Sequence, residues 1–303
     1  MSLRRATLIC SLGLAVAGCG RDAAPPAREF DGARAMARVT DQLAFGPRIP
    51  GTPGHVAMAA WLDSLARAAA DTVVVQRWVH VTAAGDSLPM VNVIARFRPE
   101  LADRVLYVAH WDTRPVADAD SGARGPVPGA NDGASGVAVL LGVMDALAAT
   151  PPPVGVDLLF VDGEDYGDFS QPDVDVLIGS RHYAANQVAP TRPRFAIVWD
   201  MVGARDLRLP QEPQSAIAAP DVIERVWDLA ERMGYGHIFV KQAGGAVIDD
   251  HIPLIQAGIR AIDVIGWPYA HWHTEADTAD KLSQESLEAV GNVAVAVIRT
   301  AAD

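Results

Sequence analysis

Residues 161–167 read Val-Asp-Gly-Glu-Asp-Tyr-Gly and end an apolar run, residues 156–161, that predicts a buried strand of a parallel sheet. In open α/β sheets, the groups that carry chemistry lie just beyond the carboxyl ends of the strands. Glu164 and Asp165 stand at such an end. Because neighbouring residues in a loop can point in different directions, one of these carboxylates can bind a metal while the other transfers protons.

Outward from this strand, apolar and β-branched runs alternate with segments of helical periodicity. Strands are predicted at residues 72–81, 90–97, 104–109, 156–161, 195–199, 238–241 and 261–265. Helices are predicted at residues 31–43, 54–70, 133–149, 179–186, 220–233, 250–257 and 283–298. The first two strands are expected to pair antiparallel at a sheet edge. The alternation predicts an α/β fold, a three-layer α/β/α sandwich around a central mixed, mostly parallel sheet.

The composition is typical of a soluble globular enzyme. Half of the 303 residues are hydrophobic and 20% are charged, and no compositional break divides the chain. The formal net charge of −12 disfavours nucleic acid and anionic membrane surfaces as partners. We therefore expect one large core and no nucleic-acid ligand.

The N-terminus has the layout of a bacterial export signal. Arg4 and Arg5 precede an apolar run, residues 6–17, that is too short to span a bilayer. The run ends in Val-Ala-Gly-Cys, residues 16–19, which resembles a lipoprotein cleavage box; the alternative is a plain signal peptide with a chance cysteine. We expect a signal at residues 1–18, a tether at 19–30 and one domain at 31–303. The mature protein would lie at the cell envelope and contact the membrane only through a lipid on Cys19. It would have no disulfide, because Cys10 is removed with the signal and Cys19 is acylated.

Several predicted strand ends carry the same kinds of residue. They are His110 with Asp112, Glu164 with Asp165, Asp200, and His273 after the last strand, and Asp132 adds a carboxylate at the start of a helix. Asp132 alone could be a helix N-cap. Burying so many ionisable groups without partners costs several kcal/mol each, and a metal removes that cost. Histidine and carboxylate ligands without cysteine suit zinc in an open, catalytic site.

The order of these motifs resembles the M28 superfamily of zinc hydrolases, which holds two-zinc aminopeptidases and single-zinc glutaminyl cyclases. The resemblance runs from about Phe45 to the end of the chain. Its motifs are His-x-Asp at 110–112, Asn-Asp-Gly-Ala-Ser-Gly at 131–136, Asp-Gly-Glu-Asp at 162–165, Asp200, Asp-His at 250–251 and His-Thr-x-x-Asp-Thr at 273–278.

The resemblance implies a role for each matching residue. The zinc ligands of both branches match Asp132, Asp165 and His273, and the general acid/base matches Glu164. The ligands that complete a second zinc in the aminopeptidases match His110 and Asp200, with Asp112 orienting His110. One departure is that Asp165 stands where familiar members have Glu, so the metal must lie closer to the backbone or bind less symmetrically.

Several features favour the cyclase branch. Asp-Asp-His-Ile-Pro at 249–253 matches a cyclase segment, as does Gly-Ser-Arg-His at 179–182. Trp272 directly precedes His273, as in cyclases, and Tyr269 stands where cyclases have an aromatic pocket residue. Against this, cyclases carry a tryptophan shortly after the acidic pair, and Phe169 is the nearest substitute.

The resemblance therefore implies a cyclotransferase that converts the N-terminal glutamine of peptides to pyroglutamate and releases ammonia. Glu164 would move the protons, Asp249 and Asp200 would hold the amide nitrogens, and Trp272, Tyr269 and Phe169 would line the pocket. The alternative is an aminopeptidase with two zinc ions, in which Glu164 activates a water. A lipid-anchored binding protein that has lost its activity is a third hypothesis. We expect a monomer whose partners are peptide or protein N-termini.

Overall fold

A six-stranded mixed sheet forms the centre of the molecule. The computed structural model describes residues 26–122, 125–171, 174–188 and 191–302. The strands, in chain order, are β1 (Thr72–Val81), β2 (Ser87–Phe97), β3 (Arg104–His110), β4 (Gly155–Val161), β5 (Ala196–Asp200), β6 (Leu209–Gln211), β7 (Phe239–Ala243) and β8 (Ala261–Ile265). The signal at 1–18 and Cys19 lie outside the described residues, so the export and anchoring hypotheses stay predictions.

The strand order across the main sheet is β1-β2-β4-β3-β5-β8. Strands β4, β3, β5 and β8 run parallel, whereas β2 pairs antiparallel with both β1 and β4. The structure thus confirms a mixed, mostly parallel sheet with an antiparallel edge. β6 and β7 form a separate two-stranded sheet, and the sequence did not predict β6.

Helices cover both faces of this sheet. They are α1 (Gly32–Leu43), α2 (Pro53–Ala69), α3 (Ala134–Ala149), α4 (Ile178–Ala185), α5 (Pro213–Ala218), α6 (Pro220–Arg232), α7 (His251–Gln256) and α8 (Gln284–Arg299). Helices α1, α3 and α8 pack together on one face, and α4 packs with α7 on the other. The three-layer sandwich is confirmed. None of the helices within the described ranges is long and apolar enough to cross a membrane.

The alternating side chains of β3 show how the sheet separates two cores. Val105, Tyr107 and Ala109 join the larger hydrophobic cluster, while Leu106 and Val108 join the smaller one on the opposite face. This is the period of two that a buried strand requires. Because the central strands are buried on both faces, their polar ends are confined to the edge where the parallel strands finish.

A single charged residue inside β4 is explained by a buried ion-pair cluster. Asp157 accepts hydrogen bonds from Arg104 at 2.7 and 2.9 Å and from Arg96 Nε at 2.9 Å. Both arginines extend from neighbouring strands, and the fork of Arg104 binds the carboxylate through two nitrogens. The apolar run could therefore contain an aspartate and still form a central strand.

Candidate active site

Three parallel strands deliver the candidate residues to one edge of the sheet. His110 is the last residue of β3, Asp200 is the last residue of β5, and the acidic loop follows β4 directly. Asp132 precedes α3, and His273 lies beyond β8. All of these side chains are buried. The structure thus brings together residues that are far apart in the chain: His110 and His273 are separated by 163 positions.

The first ligand group consists of Asp132, Asp165 and His273. One potential donor atom from each residue lies within 4.8 Å of the others. His273 Nε2 is 3.1 Å from Asp165 Oδ1 and 4.0 Å from Asp132 Oδ2. The shorter aspartate side chain at position 165 therefore still reaches the other two residues.

The second ligand group consists of His110, Asp132 and Asp200, which meet the same distance condition. His110 Nε2 is 3.2 Å from Asp132 Oδ1 and 3.1 Å from Asp200 Oδ1. Asp132 belongs to both groups and turns a different oxygen towards each. This is the arrangement of a carboxylate that can bridge two neighbouring cations.

The residues of these groups fit a divalent metal. The Oδ2 atoms of Asp132 and Asp165 are buried and, within the described part of the chain, have no hydrogen-bond partner. A buried carboxylate oxygen without a partner is costly, and a cation removes the cost. The donors are imidazole nitrogens and carboxylate oxygens, a set that suits zinc.

The backbone around Asp132 is held by another carboxylate. Asp277 accepts hydrogen bonds from the backbone N–H groups of Asn131 and Asp132, each at 3.0 Å. The N-cap of α3 is Gly133, at a φ of +94°, where an added Cβ would lie 2.8 Å from the carbonyl oxygen of Asp112. Asp132 is therefore not the helix cap, and its side chain is left free for the two ligand groups.

Asp112 lies between His110 and the acidic loop. Its Oδ1 lies 3.6 Å from His110 Nδ1, which is too far for a hydrogen bond. Instead, Asp112 accepts hydrogen bonds from the backbone N–H groups of Glu164 at 3.1 Å and Asp165 at 3.2 Å. Asp112 therefore holds the acidic loop while lying beside His110, and its orienting role towards His110 stays a prediction.

Burial controls the protonation of the proton-transfer candidate. Burial raises the pKa of the Glu164 carboxyl well above its ordinary value; His110 opposes the shift, and the carboxylates of Asp165 and Asp249 reinforce it. Burial also raises the pKa of Asp200 to about 7, against the opposing hydrogen bond from His110. A raised pKa makes a carboxyl group a better proton donor, as a general acid/base requires.

The His110 ring is surrounded by carboxylates. Burial alone would lower its pKa, but contacts with Asp112, Asp132 and Asp200 outweigh burial and raise the pKa well above the ordinary value. Its neighbourhood therefore attracts positive charge strongly, whether a proton or a metal ion.

A cavity of about 230 Å³ opens over the first ligand group. Its apolar walls include Phe169, Ile265, Trp267 and Trp272, and its polar lining includes Asp132, Glu164, Asp200, Asp249 and His273. The Trp272 ring stacks on His273 with centroids 3.6 Å apart, and Trp267 meets Trp272 edge-on at 5.0 Å. Asp249 Oδ2 is buried and has no hydrogen-bond partner within the described residues.

Tyr269 does not line this cavity, so the expectation that it forms a pocket wall was wrong. Its hydroxyl donates a hydrogen bond to Asp277 Oδ1 at 2.9 Å, and its ring borders a separate surface cavity. Trp267, two residues earlier in the same loop, lines the cavity instead. Trp267 was not predicted, because a loop without periodicity does not indicate which of two nearby aromatic side chains points inward.

Three charged residues near the ligand groups were also missed. Arg48 is fully buried and bonds to the loops that carry the ligands. Arg114 contacts Asp165, and Asp118 contacts His273. Arg114 lies only two residues beyond Asp112, a closeness that could have marked it as a candidate. Arg48 lies in the turn-rich segment 45–52 and had no such signal.

Residues 92–298 match the model of Peptidase family M28. This chain belongs to peptidase family M28. The Porphyromonas gingivalis glutaminyl cyclase structure has a TM-score of 0.86 and 37% identity, covering 89% of this chain and 98% of that one. A leucine aminopeptidase precursor from Bacteroides thetaiotaomicron has a TM-score of 0.87 and 34% identity, covering 91% of this chain and 99% of that one.

The curated relatives include both cyclotransferases and an aminopeptidase. A mouse glutaminyl-peptide cyclotransferase-like protein is 28% identical over 227 residues, which are 67% of this chain. The match spans 58% of the length of that relative. Family membership and these similarities support an enzyme, and both named activities occur among close structural neighbours.

Proposed function

We propose that this chain is a zinc-dependent glutaminyl-peptide cyclotransferase. The observation that carries the proposal is the cavity over the first ligand group. At about 230 Å³ it is smaller than the roughly 300–1,000 Å³ of ordinary ligand pockets, which suits one side chain at the end of a peptide. Its indole walls suit the apolar part of a glutamine side chain, and Asp249 offers an unpaired oxygen to an amide N–H.

In this proposal zinc would be held by Asp132, Asp165 and His273, and it would supply Lewis-acid polarisation of the side-chain carbonyl of glutamine. Glu164 accepts a proton from the α-amine as the amine nitrogen bonds to the side-chain carbonyl carbon. The bond from that carbon to the side-chain nitrogen then breaks, and Glu164 returns the proton to the leaving ammonia. The product is a five-membered lactam, with no water consumed.

The chain contributes orientation as well as proton transfer. The reacting amine and carbonyl belong to one residue, so the cavity needs only to hold a folded rotamer of the glutamine side chain. Trp267 and Trp272 restrict that rotamer, while Asp249 and Asp200 can accept hydrogen bonds from the amide nitrogens. The raised pKa of Glu164 favours its return of the proton to ammonia.

A second candidate function is favoured by the second ligand group. His110, Asp132 and Asp200 could hold another zinc, and Asp132 turns one oxygen towards each group. Two metals with Glu164 as base would suit hydrolysis of the first peptide bond, as in an aminopeptidase. The indole walls and the buried Asp249 oxygen, which has no hydrogen-bond partner among the described residues, favour the cyclotransferase, because they suit the side-chain amide of glutamine.

The test is an ammonia-release assay on two peptides that differ only in their first residue, Gln or Ala. We expect ammonia from the Gln peptide alone, and loss of that activity in Glu164→Gln. Release of the first amino acid from either peptide would instead favour the aminopeptidase. Zinc content measured on the same sample distinguishes one metal per chain from two.

The cellular setting belongs to the same proposal. Export by the signal at 1–18 and a lipid on Cys19 would hold a monomeric enzyme at the bacterial envelope, where peptide and protein N-termini would be its substrates. Mass analysis of the mature N-terminus would reveal a diacylated or triacylated Cys19, and an unmodified residue at any other start would exclude the anchor.

A further inference from the structure

Arg114 and Asp118 form a charged pair directly behind the first ligand group, although neither belongs to it. Arg114 Nε donates a hydrogen bond to Asp118 Oδ1 at 2.9 Å. We propose that this is a positioning pair, which sets the affinity of the first ligand group for zinc. The inference rests on the proposed zinc site and adds the two residues that hold its ligands in place.

Asp118 fixes the orientation of the histidine ligand. Its Oδ1 is 3.1 Å from His273 Nδ1, while His273 Nε2 faces Asp165. A carboxylate at one ring nitrogen favours the proton on that nitrogen, which leaves the lone pair of Nε2 for a metal. The backbone reinforces the contact, because Ala119 N donates to the carbonyl oxygen of His273 at 3.2 Å.

Arg114 fixes the carboxylate ligand. Its Nη1 donates to Asp165 Oδ1 at 3.0 Å, and also to the carbonyl oxygen of Gly167 at 2.8 Å. Asp165 Oδ2 has no partner among the residues described, so one oxygen is held and the other is free. Only 7% of the Arg114 side chain is exposed, which makes this a persistent contact rather than a surface ion pair.

The pair also joins the ligands to the cavity wall. The guanidinium carbon of Arg114 lies 5.8 Å from the Phe169 ring centroid, and that ring lies 6.0 Å from His273. Arg114 thus contacts a ligand, the residue that orients another ligand, and a wall of the pocket.

Asp118→Ala is the decisive variant, and Asp120→Ala is its matched control. Asp120 lies on the same loop and accepts the backbone N–H of Glu275 at 2.8 Å, so it also tethers the segment after His273. Zinc affinity is measured on the metal-stripped protein by competition with a chromophoric chelator. The thermal midpoint of each stripped variant is recorded alongside, and Arg114→Lys tests whether the charge alone can replace the guanidinium fork.

We expect Asp118→Ala to weaken zinc binding by about tenfold to hundredfold and Asp120→Ala to leave it unchanged. Arg114→Lys should also weaken zinc binding. The double variant Asp118→Ala/Arg114→Lys should weaken zinc binding by less than the product of the two single effects. Equal zinc affinity in Asp118→Ala and Asp120→Ala, with equally lowered thermal midpoints, would mean a purely structural role and would overturn the inference. Failure of the unmodified protein to bind zinc would instead overturn the zinc site of the proposed function.

Discussion

Replacing Arg48 with methionine tests how the loops that carry the ligand candidates are held together. Arg48 donates from Nε to the carbonyl oxygen of Trp111 at 3.0 Å, from Nη1 to that of Pro128 at 3.0 Å and from Nη2 to that of Gly129 at 2.7 Å. It therefore joins the loop after His110 to the loop before Asp132. Burial lowers the pKa of Arg48 to about 10, against the opposing charge of nearby carboxylates, so the side chain stays charged at neutral pH.

The expected loss follows from those three contacts. A hydrogen bond that involves a charged group contributes about 1.5–3 kcal/mol, so three at the lower value give about 4–5 kcal/mol. Breaking a buried charged interaction by removing one partner costs about 3–5 kcal/mol, which agrees. We expect Arg48→Met to lose about 4 kcal/mol of unfolding free energy, a large part of the usual 5–15 kcal/mol.

Urea unfolding of the metal-stripped proteins, followed by circular dichroism, gives this free energy directly. Arg34→Met is the matched control, since Arg34 is 55% exposed and pairs with Asp145 on the surface, where about 1 kcal/mol or less is expected. A loss of less than about 1 kcal/mol in Arg48→Met would refute the argument that these bonds hold the two loops together.

Three further predictions follow from the site and its support. Glu164→Gln should lower turnover by about 10²–10⁴-fold while zinc affinity, measured by chelator competition, stays unchanged; retained turnover would exclude Glu164 as the proton carrier. Burial raises the pKa of Asp277 from 3.8 to about 6, so its contribution to stability is present below about pH 4 and lost as the pH rises through 6. Between about pH 4 and pH 7 the unfolding free energy of the metal-stripped protein should therefore fall by about 3 kcal/mol relative to Asp277→Asn, whereas a pH-independent difference would contradict the shift. Gly136→Ala should lose about 1–3 kcal/mol of unfolding free energy, because the added Cβ would lie 2.0 Å from the carbonyl oxygen of Trp199. A variant that unfolds at the same temperature as the unmodified protein would contradict that close contact.

The sheet and the placement of the candidate residues could be predicted because they depend on local patterns. The run at 156–161 is apolar enough to indicate a buried strand, and β4 occupies Gly155–Val161. Parallel strands end at the same edge of a sheet, so the sequence alone predicts that His110 and Asp200 approach the acidic loop. No strand ends at His273, so its place at this edge was predicted from the motif that surrounds it.

The parts that could not be predicted depend on contacts between distant residues. Arg48 binds carbonyl groups 63 to 81 positions away, and nothing in its own segment indicates them. Tyr269 and Trp267 occupy a loop after β8 whose side-chain directions have no period to follow. β6 is three residues long and pairs with the short strand β7, so it has too little pattern of its own to be recognised.

Cyclisation is tested by the intact mass of one peptide, with N-terminal Gln and a blocked C-terminal amide, after incubation with the zinc-loaded protein. A cyclotransferase removes the mass of one ammonia and retains every residue, and we expect no change when Glu164→Gln replaces the unmodified protein. Loss of the mass of the first residue would contradict the cyclotransferase and identify an aminopeptidase. An unchanged peptide in the presence of bound zinc would contradict both.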